Sequence, residues 1–444
     1  MKRLGRRLPL ALCGATFVFF GVSSESAEAR GPVVQEPAAS PPGAGSAVSV
    51  PETDAPHGFT LEQALAAQKR GHPLLTAAKA NVRAAESQAT AAGLWSNPQL
   101  DASYTRSTGT TSYDSFGYGT AGITQFIELA GAPAARKRSA EAETRATMAD
   151  GAGLSRRLAF DAEEAYVSLA AQIARRGVSE ETVKDLERAD RIVRARVGAG
   201  MAPQYDASRI AIALAAARAE LGDAEANVAR ARGDLATAVG PSVASLRGDP
   251  IYDFDATPPL PALAELQRDL LAHRTDLRAA QYRAESARQA IASAQRSVFP
   301  GIGVRLGAGY GQAPNQTDLG VGIVVPLPLV DRGQGLVPAA RARAEANDAL
   351  ADAIVVAARE RLNAAHAELL RRRETLEKYR AEMRVISLGM RSEAEAGYRE
   401  ARLSVLELVD AYQSFHDARL KMIELAVNAS LAEVAVRRVL EGAQ

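Results

Sequence analysis

The chain repeats itself at an offset of about 202 residues. Pro98 matches Pro300, Leu61 matches Leu263, Leu75 matches Leu277, and Ala77-Ala78 matches Ala279-Ala280. Each half reads helix, strand, strand, long helix, turn, long helix. A unit this large, present twice, limits the fold more than any local motif, because each copy must bury equivalent faces. The first repeat covers residues 59–240 and the second 262–441. Between them lies a proline-rich linker at 241–261, with Pro241, Pro250, Pro258, Pro259 and Pro261.

The long helices follow from the absence of breakers. Thr60 with Gln63 makes a capping box at the first helix start. Gly71-His72-Pro73 interrupts it, and a second helix runs from about Leu74 to Trp95. Pro133 fits the first helical position, where its missing N–H costs nothing. From there to Val197 no further proline intervenes, which allows a helix roughly 95 Å long at 1.5 Å per residue. Gly198 to Pro203 turns the chain, and a helix returns over 204–239. Along it Ile210, Leu214, Ala217, Leu221, Ala224, Val228, Ala231 and Leu235 step 4-3-4-3-4-3-4, a heptad seam. The second repeat predicts helices over 338–396 and 404–440, with Ala342, Ala346, Ala349, Ala353 and Val356 as its seam. Aromatics are only 5% of residues, which suits closely packed helices.

Each repeat carries two strands, at about 99–129 and 301–325. Leu100, Ala102 and Tyr104 alternate with polar residues. Ile302, Val304, Leu306, Ala308 and Tyr310 alternate with Gly301, Gly303, Arg305, Gly307 and Gly309, and Leu319, Val321, Ile323 and Val325 alternate with Gly320, Gly322 and Val324. Period-2 alternation separates an aliphatic face from a small or polar one. That suits a hairpin on a soluble core, and equally a membrane hairpin with its polar face toward a lumen. Four strands cannot close a barrel in lipid, where single-chain barrels start at about eight. Open edges there leave backbone groups unpaired at several kcal/mol each. The membrane reading therefore requires several chains, and three give twelve strands.

The N-terminus predicts export. Lys2, Arg3, Arg6 and Arg7 precede an apolar run from Leu8 to Val22, and Ala27-Glu28-Ala29 suits cleavage, giving a signal peptide at 1–29. The single cysteine, Cys13, lies inside it. A lipoprotein cysteine is the alternative, with bulky Leu12 where a small residue is usual. Residues 30–58, rich in Pro, Ala, Gly and Ser, predict a flexible leader. No later segment reaches about 18 uninterrupted apolar residues, the length a transmembrane helix needs. A net charge of +1 gives no sign of a nucleic-acid partner.

At these residues the sequence resembles the TolC-type outer-membrane factor family, over about Phe59 to Leu440. Gln125-Phe126-Ile127-Glu128-Leu129-Ala130-Gly131 and Pro326-Leu327-Pro328-Leu329-Val330-Asp331-Arg332-Gly333-Gln334-Gly335 are similar to the branch serving cobalt–zinc–cadmium pumps of the resistance–nodulation–division (RND) type. Ala130 departs from that pattern, where glycine is usual, as do Ala132, where a basic residue is usual, and Gly333, where asparagine is common. The resemblance implies a mostly α fold with a small β part. It implies a homotrimer forming a 12-stranded outer-membrane β-barrel, continued by a periplasmic α-helical barrel. Its implied partners are a periplasmic adaptor (membrane fusion) protein, an inner-membrane RND pump and outer-membrane lipid. The implied function is a passive exit duct for divalent heavy-metal cations. Drug efflux or type I protein secretion on the same fold, and a soluble periplasmic coiled-coil scaffold, are the alternatives.

In that family the two helix-pair turns form the periplasmic entrance and meet the adaptor. The resemblance therefore makes Arg196, Gln204, Tyr205 and Asp206 in one turn candidates for gate or adaptor contact. Glu393, Arg399, Glu400, Arg402 and Glu407 are candidates in the other, with Glu395 nearby. Solvated turn charges are the plain alternative. Arg305 is a candidate for the barrel lumen, with pairing at the periplasmic rim as the alternative. No catalytic constellation is visible: there is no GxSxG, P-loop or HExxH, and an enzyme is not expected. The histidines (His57, His72, His273, His366, His416) are scattered, with His72 and His273 one position out of register in the repeat. Met148, Met201, Met383, Met390 and Met422 form no cluster, so neither a metal site nor a cofactor is predicted.

Overall fold

The computed structural model describes residues 58–107, 116–256, 259, 261–299, 301–311, 317–386 and 389–443. The expected signal peptide, Cys13, and all but the last residue of the expected leader lie outside them. In chain order the elements are β1 (Gly58–Phe59), α1 (Leu61–Gly71), α2 (Pro73–Ala92), β2 (Gln99–Ser107), β3 (Phe116–Ile127), α3 (Ala132–Gly198), α4 (Gln204–Val239), β4 (Asp249–Pro250), α5 (Leu263–Asp269), α6 (Thr275–Ser297), β5 (Ile302–Tyr310), β6 (Thr317–Val324), α7 (Leu336–Ile386), α8 (Met390–Arg399) and α9 (Val405–Glu441).

The Thr60–Gln63 capping box forms as expected, with both reciprocal bonds in place. The repeat holds at the level of single residues. In the first repeat His72 caps α2, and the helix-ending Gly240 (φ 81°) packs over it. In the second, Arg274 stands at the cap of α6, under Gly442 (φ 65°). The counterpart of His72 is thus Arg274 and not His273. Arg274 is almost fully buried, and it donates to the Val439 carbonyl at 2.5 Å and to both carboxylate oxygens of Asp276. It ties the end of the last helix to the start of α6.

Three expectations need correction. The helix foreseen over 338–396 is broken, because Gly389 takes a φ of 119° that no right-handed helix accommodates. The leader ends one residue earlier: in the linker a 3-10 turn at Pro241–Ser245 precedes β4, which pairs in parallel with β1, so Gly58 is the first strand residue rather than leader. The Tyr166 hydroxyl lies 3.0 Å from the Phe59 carbonyl and 2.5 Å from that of Ile251, pinning this small sheet to α3. Finally, the two seams differ. Ile210, Leu214, Ala217, Val228, Ala231 and Leu235 are buried, each large aliphatic contributing on the order of 1.5–3 kcal/mol. Ala342, Ala346, Ala349, Ala353 and Val356 instead face outward from their own chain. A heptad pattern marks a face for burial without saying which chain covers it.

The four long strands form one antiparallel sheet in the order β2-β3-β5-β6. Leu100, Ile123, Leu306 and Val321 stand in one row across it, all exposed on the same face. The opposite face carries Asp101, Ser103, Thr120, Thr124, Gly122, Arg305 and a run of glycines, with Ser103 and Thr120 hydrogen-bonded at 2.8 Å. Exposed Tyr104 and Tyr310 stand toward the far end of the apolar face, and exposed Trp95 and Phe299 lie beyond the near ends of the strands, where the helices begin.

Candidate functional site

At the helical end away from the sheet, α3, α4, α8 and α9 converge on one apolar cluster. Val193, Ile210, Tyr398, Val405, Leu408 and Tyr412 are among its members. α8 is short, and its buried face is Ala394, Gly397 and Tyr398. Gly397 is required there, because a Cβ would run into the Leu403 side chain.

Polar bonds fix α8 on three sides. Arg391 donates to the buried Asp185 of α3 at 2.6 Å, and Arg188 stands 3.3 Å from the same carboxylate. The Arg391 guanidinium is held above its ordinary pKa, first by this hydrogen bond. Glu395 accepts from Tyr412 of α9 at 2.6 Å, and Arg188 and Arg399 stand 3.5 and 3.7 Å away. Burial, then the Glu395 bond, pushes the Tyr412 phenol well up. Tyr398 donates to Asp206 of α4 at 3.0 Å. Arg196 bonds the Tyr398 carbonyl and lays its guanidinium 4.7 Å from the ring centre. Burial, followed by the Asp206 bond, pushes the Tyr398 phenol up to about 12.

The predicted candidates therefore divide. Arg196 and Asp206 join this network through Tyr398. Arg399 touches it at Glu395 from an exposed position. Glu400 and Arg402 pair with each other in the turn. Glu407 closes a capping box with Ser404 at the start of α9, and those bonds hold its carboxyl below the usual range. Gln204, Tyr205 and Glu393 are exposed, with no side-chain bond among the described residues. Sequence reasoning missed Tyr398, Asp185, Arg391 and Tyr412 as participants. It also missed His416, which is buried between Thr182 of α3 at 2.8 Å and Glu220 of α4 at 2.7 Å. The one available signal was the scarcity of aromatics, which makes a tyrosine near a tight turn conspicuous.

Arg305 lies on the polar face of the sheet. It reaches across Gly122, where any side chain would obstruct it, and pairs with Asp101 two strands away. Among the described residues no group of three or more His, Cys, Asp or Glu could hold a metal ion, and no helix is long and apolar enough to cross a membrane. The arrangement at this end is a set of ion pairs and hydrogen bonds that tie α8 to α3, α4 and α9.

The sequence pattern of the family described as outer membrane efflux protein matches residues 63–241 and 266–442, one stretch in each repeat. The cobalt-zinc-cadmium resistance protein CzcC of Cupriavidus metallidurans is 26% identical over 447 residues, covering 99% of this chain and 100% of that protein. The outer-membrane channel OprN superposes with a TM-score of 0.72 at 22% identity, covering 86% of this chain and 90% of that one. CusC superposes with a TM-score of 0.70 at 16% identity, covering 86% and 92%. VceC of Vibrio cholerae gives 0.68 at 21%, covering 86% and 96%. With both repeats matched and the sheet-on-long-helix architecture shared, the chain belongs to the outer membrane efflux protein family, at the outer membrane with a periplasmic part.

Proposed function

We propose that this protein is the exit duct of a tripartite RND-type efflux system and passes divalent heavy-metal cations outward. The observation that carries the duct reading is the four-stranded sheet. Its apolar face is exposed, its other face is glycine-rich and polar, and both its edges are open. In lipid such edges demand partners, so three chains closing twelve strands satisfy the backbone and enclose a polar lumen. The long helices continue that lumen into the periplasm. Energy and cargo selection come from an inner-membrane RND pump, joined through a periplasmic adaptor at the α3–α4 and α8–α9 turns. The duct catalyses nothing.

Two observations support the metal cargo: full-length similarity to a cobalt-zinc-cadmium resistance protein, and the Pro326–Gly335 segment at the joint between sheet and α7. The tip network, centred on Tyr398, Asp206, Asp185 and Arg391, holds the entrance closed until the adaptor moves α8 and α9 outward. The test is a deletion strain challenged with cobalt, zinc and cadmium, beside a planar-bilayer recording of the purified protein. The expected result is metal hypersensitivity restored by the gene, with small closed-state conductance. Unchanged metal tolerance with raised drug sensitivity reassigns the cargo. A wholly soluble monomer on membrane fractionation removes the duct.

A further inference from the structure

His416 is a buried histidine that the bonds around α8 do not use. It lies on α9 one turn beyond Tyr412, and its partner Thr182 lies on α3 one turn before Asp185. Its Nε2 is 2.7 Å from Glu220 of α4, and its Nδ1 is 2.8 Å from the Thr182 hydroxyl. The ring therefore joins α9 of repeat two to both long helices of repeat one. Counted from the N-cap or from the closing glycine, its counterpart on α4 is Ala215 or Leu214. The repeat itself thus calls for no titratable group at this place.

The donors and acceptors around the ring fix its hydrogens. A carboxylate only accepts, so Nε2 carries a hydrogen and donates it to Glu220. Nδ1 faces a hydroxyl, which can donate or accept, and that hydroxyl also lies 2.9 Å from the Val178 carbonyl. Beside a neutral imidazole, Thr182 turns its hydrogen to Nδ1. Beside an imidazolium, Nδ1 donates to Thr182, whose own hydrogen turns to the Val178 carbonyl. Both protonation states are fully bonded, and passing between them needs only the rotation of one hydroxyl. A histidine kept for packing needs one satisfied state; this one has two.

The surrounding charges leave Glu220 to His416. On α3, Glu181 pairs with Arg419 of α9 and Asp185 with Arg391 of α8, while Lys184 is exposed. On α4, Arg218 pairs with Glu187 of α3, and Asp223 is exposed. On α9 itself, Tyr412 donates to Glu395 and Asp417 is exposed. Among the described residues Glu220 has no arginine or lysine partner; His416 is its one basic neighbour within pairing distance.

We propose that His416 is a proton-responsive clamp, whose charged form binds α9 to α3 and α4 more tightly than its neutral form does. The charged ring gains Glu220 only while α9 lies on α4. Protonation therefore favours the docked arrangement, and the added grip is lost as pH rises. Burial opposes charging the ring, and the facing carboxylate and hydroxyl offset that cost. The Tyr398–Asp206 bond takes no part in this step, so it keeps the entrance shut in either state. The proton sets how much work an outward movement of α9 takes. That regulatory consequence rests on the duct reading, whereas the clamp is made within one chain.

The test is hydrogen exchange of the purified full-length protein, corrected for intrinsic rates, between pH 5 and pH 8, where histidine side chains change charge. The expected result is about fivefold greater protection of the amides of Val409–Leu420 and Ala213–Ala224 at the acidic end. His416→Gln keeps a donor for Glu220 and cannot titrate, and Glu220→Gln removes the anion. Both should lose the response, and the second decides the matter if the first does not fold, because Glu220 is exposed. Thr182→Val leaves Nδ1–H without an acceptor and should move the response to lower pH. Equal protection at both ends in the parent overturns the clamp, as does a response that survives either glutamine variant. Planar-bilayer recording of Tyr398→Phe separates the clamp from the duct. Its conductance should fall several-fold from pH 8 to pH 5, and stay level when His416→Gln is added. An exchange response in a protein that conducts at no pH upholds the clamp and removes the duct.

Discussion

Tyr398 donates its phenolic hydrogen to Asp206 across 3.0 Å, and that bond joins the end of α8 to the first turn of α4. Only the neutral phenol can donate. The folded protein holds that form up to about 12, above the ordinary value near 10. A group whose pKa is raised on folding contributes stability fully below its unfolded value, and loses it as pH rises through the folded one. Closed-state conductance in planar bilayers should therefore stay low up to pH 10 and climb between pH 10 and about 12. Tyr398→Phe should conduct more at neutral pH and lack that alkaline rise. A variant that stays closed and keeps the parent's profile would remove Tyr398 from the gate.

Asp185 is buried on α3 and depends on Arg391 for its closest partner. Removing one partner of a buried charged pair leaves the other desolvated and under-satisfied. Arg188 remains nearby, so we expect Arg391→Ala to cost about 1–3 kcal/mol rather than more. Arg371, exposed on α7 and paired with the exposed Glu374, is the control. Arg371→Ala should shift stability by no more than about 0.5 kcal/mol. Thermal unfolding in detergent, read by circular dichroism, compares the two. Equal shifts would mean that Asp185 is solvated after all.

Ala401 has a φ of 59°, the only positive value among described residues other than glycine. Its counterpart in the first repeat is Gly200 (φ 72°). The two turns share their closing bond, Met201 N–H to the Arg196 carbonyl in one and Arg402 N–H to the Gly397 carbonyl in the other, both at 2.8 Å. A left-handed conformation costs an L-residue roughly 1–2 kcal/mol, partly offset by the looser unfolded state of glycine. Ala401→Gly is therefore expected to stabilise the tip by about 0.5–1 kcal/mol. Gly200→Ala should destabilise it by about 1–2 kcal/mol. Hydrogen exchange of the turn amides, with unfolding temperature, reads both changes.

These residues also show what could be read in advance. Helix starts, caps and strands were legible because they depend on neighbours a few positions apart. Thr60 with Gln63 and the alternation around Leu306 are examples. Ser404 with Glu407 was equally legible as a cap, yet Glu407 was assigned to the gate because charge near a turn attracts a functional reading. The Arg391–Asp185 and Tyr398–Asp206 bonds join residues about 200 positions apart, and no spacing rule announces such pairs. Equivalence of His72 and Arg274 escaped notice for another reason. The position is defined by what packs under a helix-ending glycine, and two unlike side chains fill that place. The Ala342 seam was seen, but among the described residues nothing in the chain covers it.

Arg305 and Asp101 form an ion pair on the polar face of the sheet, both partly exposed. Gly122 between them leaves room for the guanidinium to lie flat. In a closed barrel that face lines the lumen, so the pair cancels a carboxylate that would otherwise attract cations. Each charge is solvated, so the pair contributes little to stability, about 0–1 kcal/mol. In the proposed duct its effect is on permeation. Arg305→Ala exposes one unpaired carboxylate per chain, and a ring of such groups favours cations. Reversal potentials in asymmetric potassium chloride should shift toward cation selectivity in Arg305→Ala. They should shift the opposite way in Asp101→Ala and return close to the parent in the double variant. Because the field of exposed charges is screened over about 10 Å at 0.1 M salt, the shifts should shrink as salt is raised. Shifts of the same sign in both single variants would place the pair outside the conducting path.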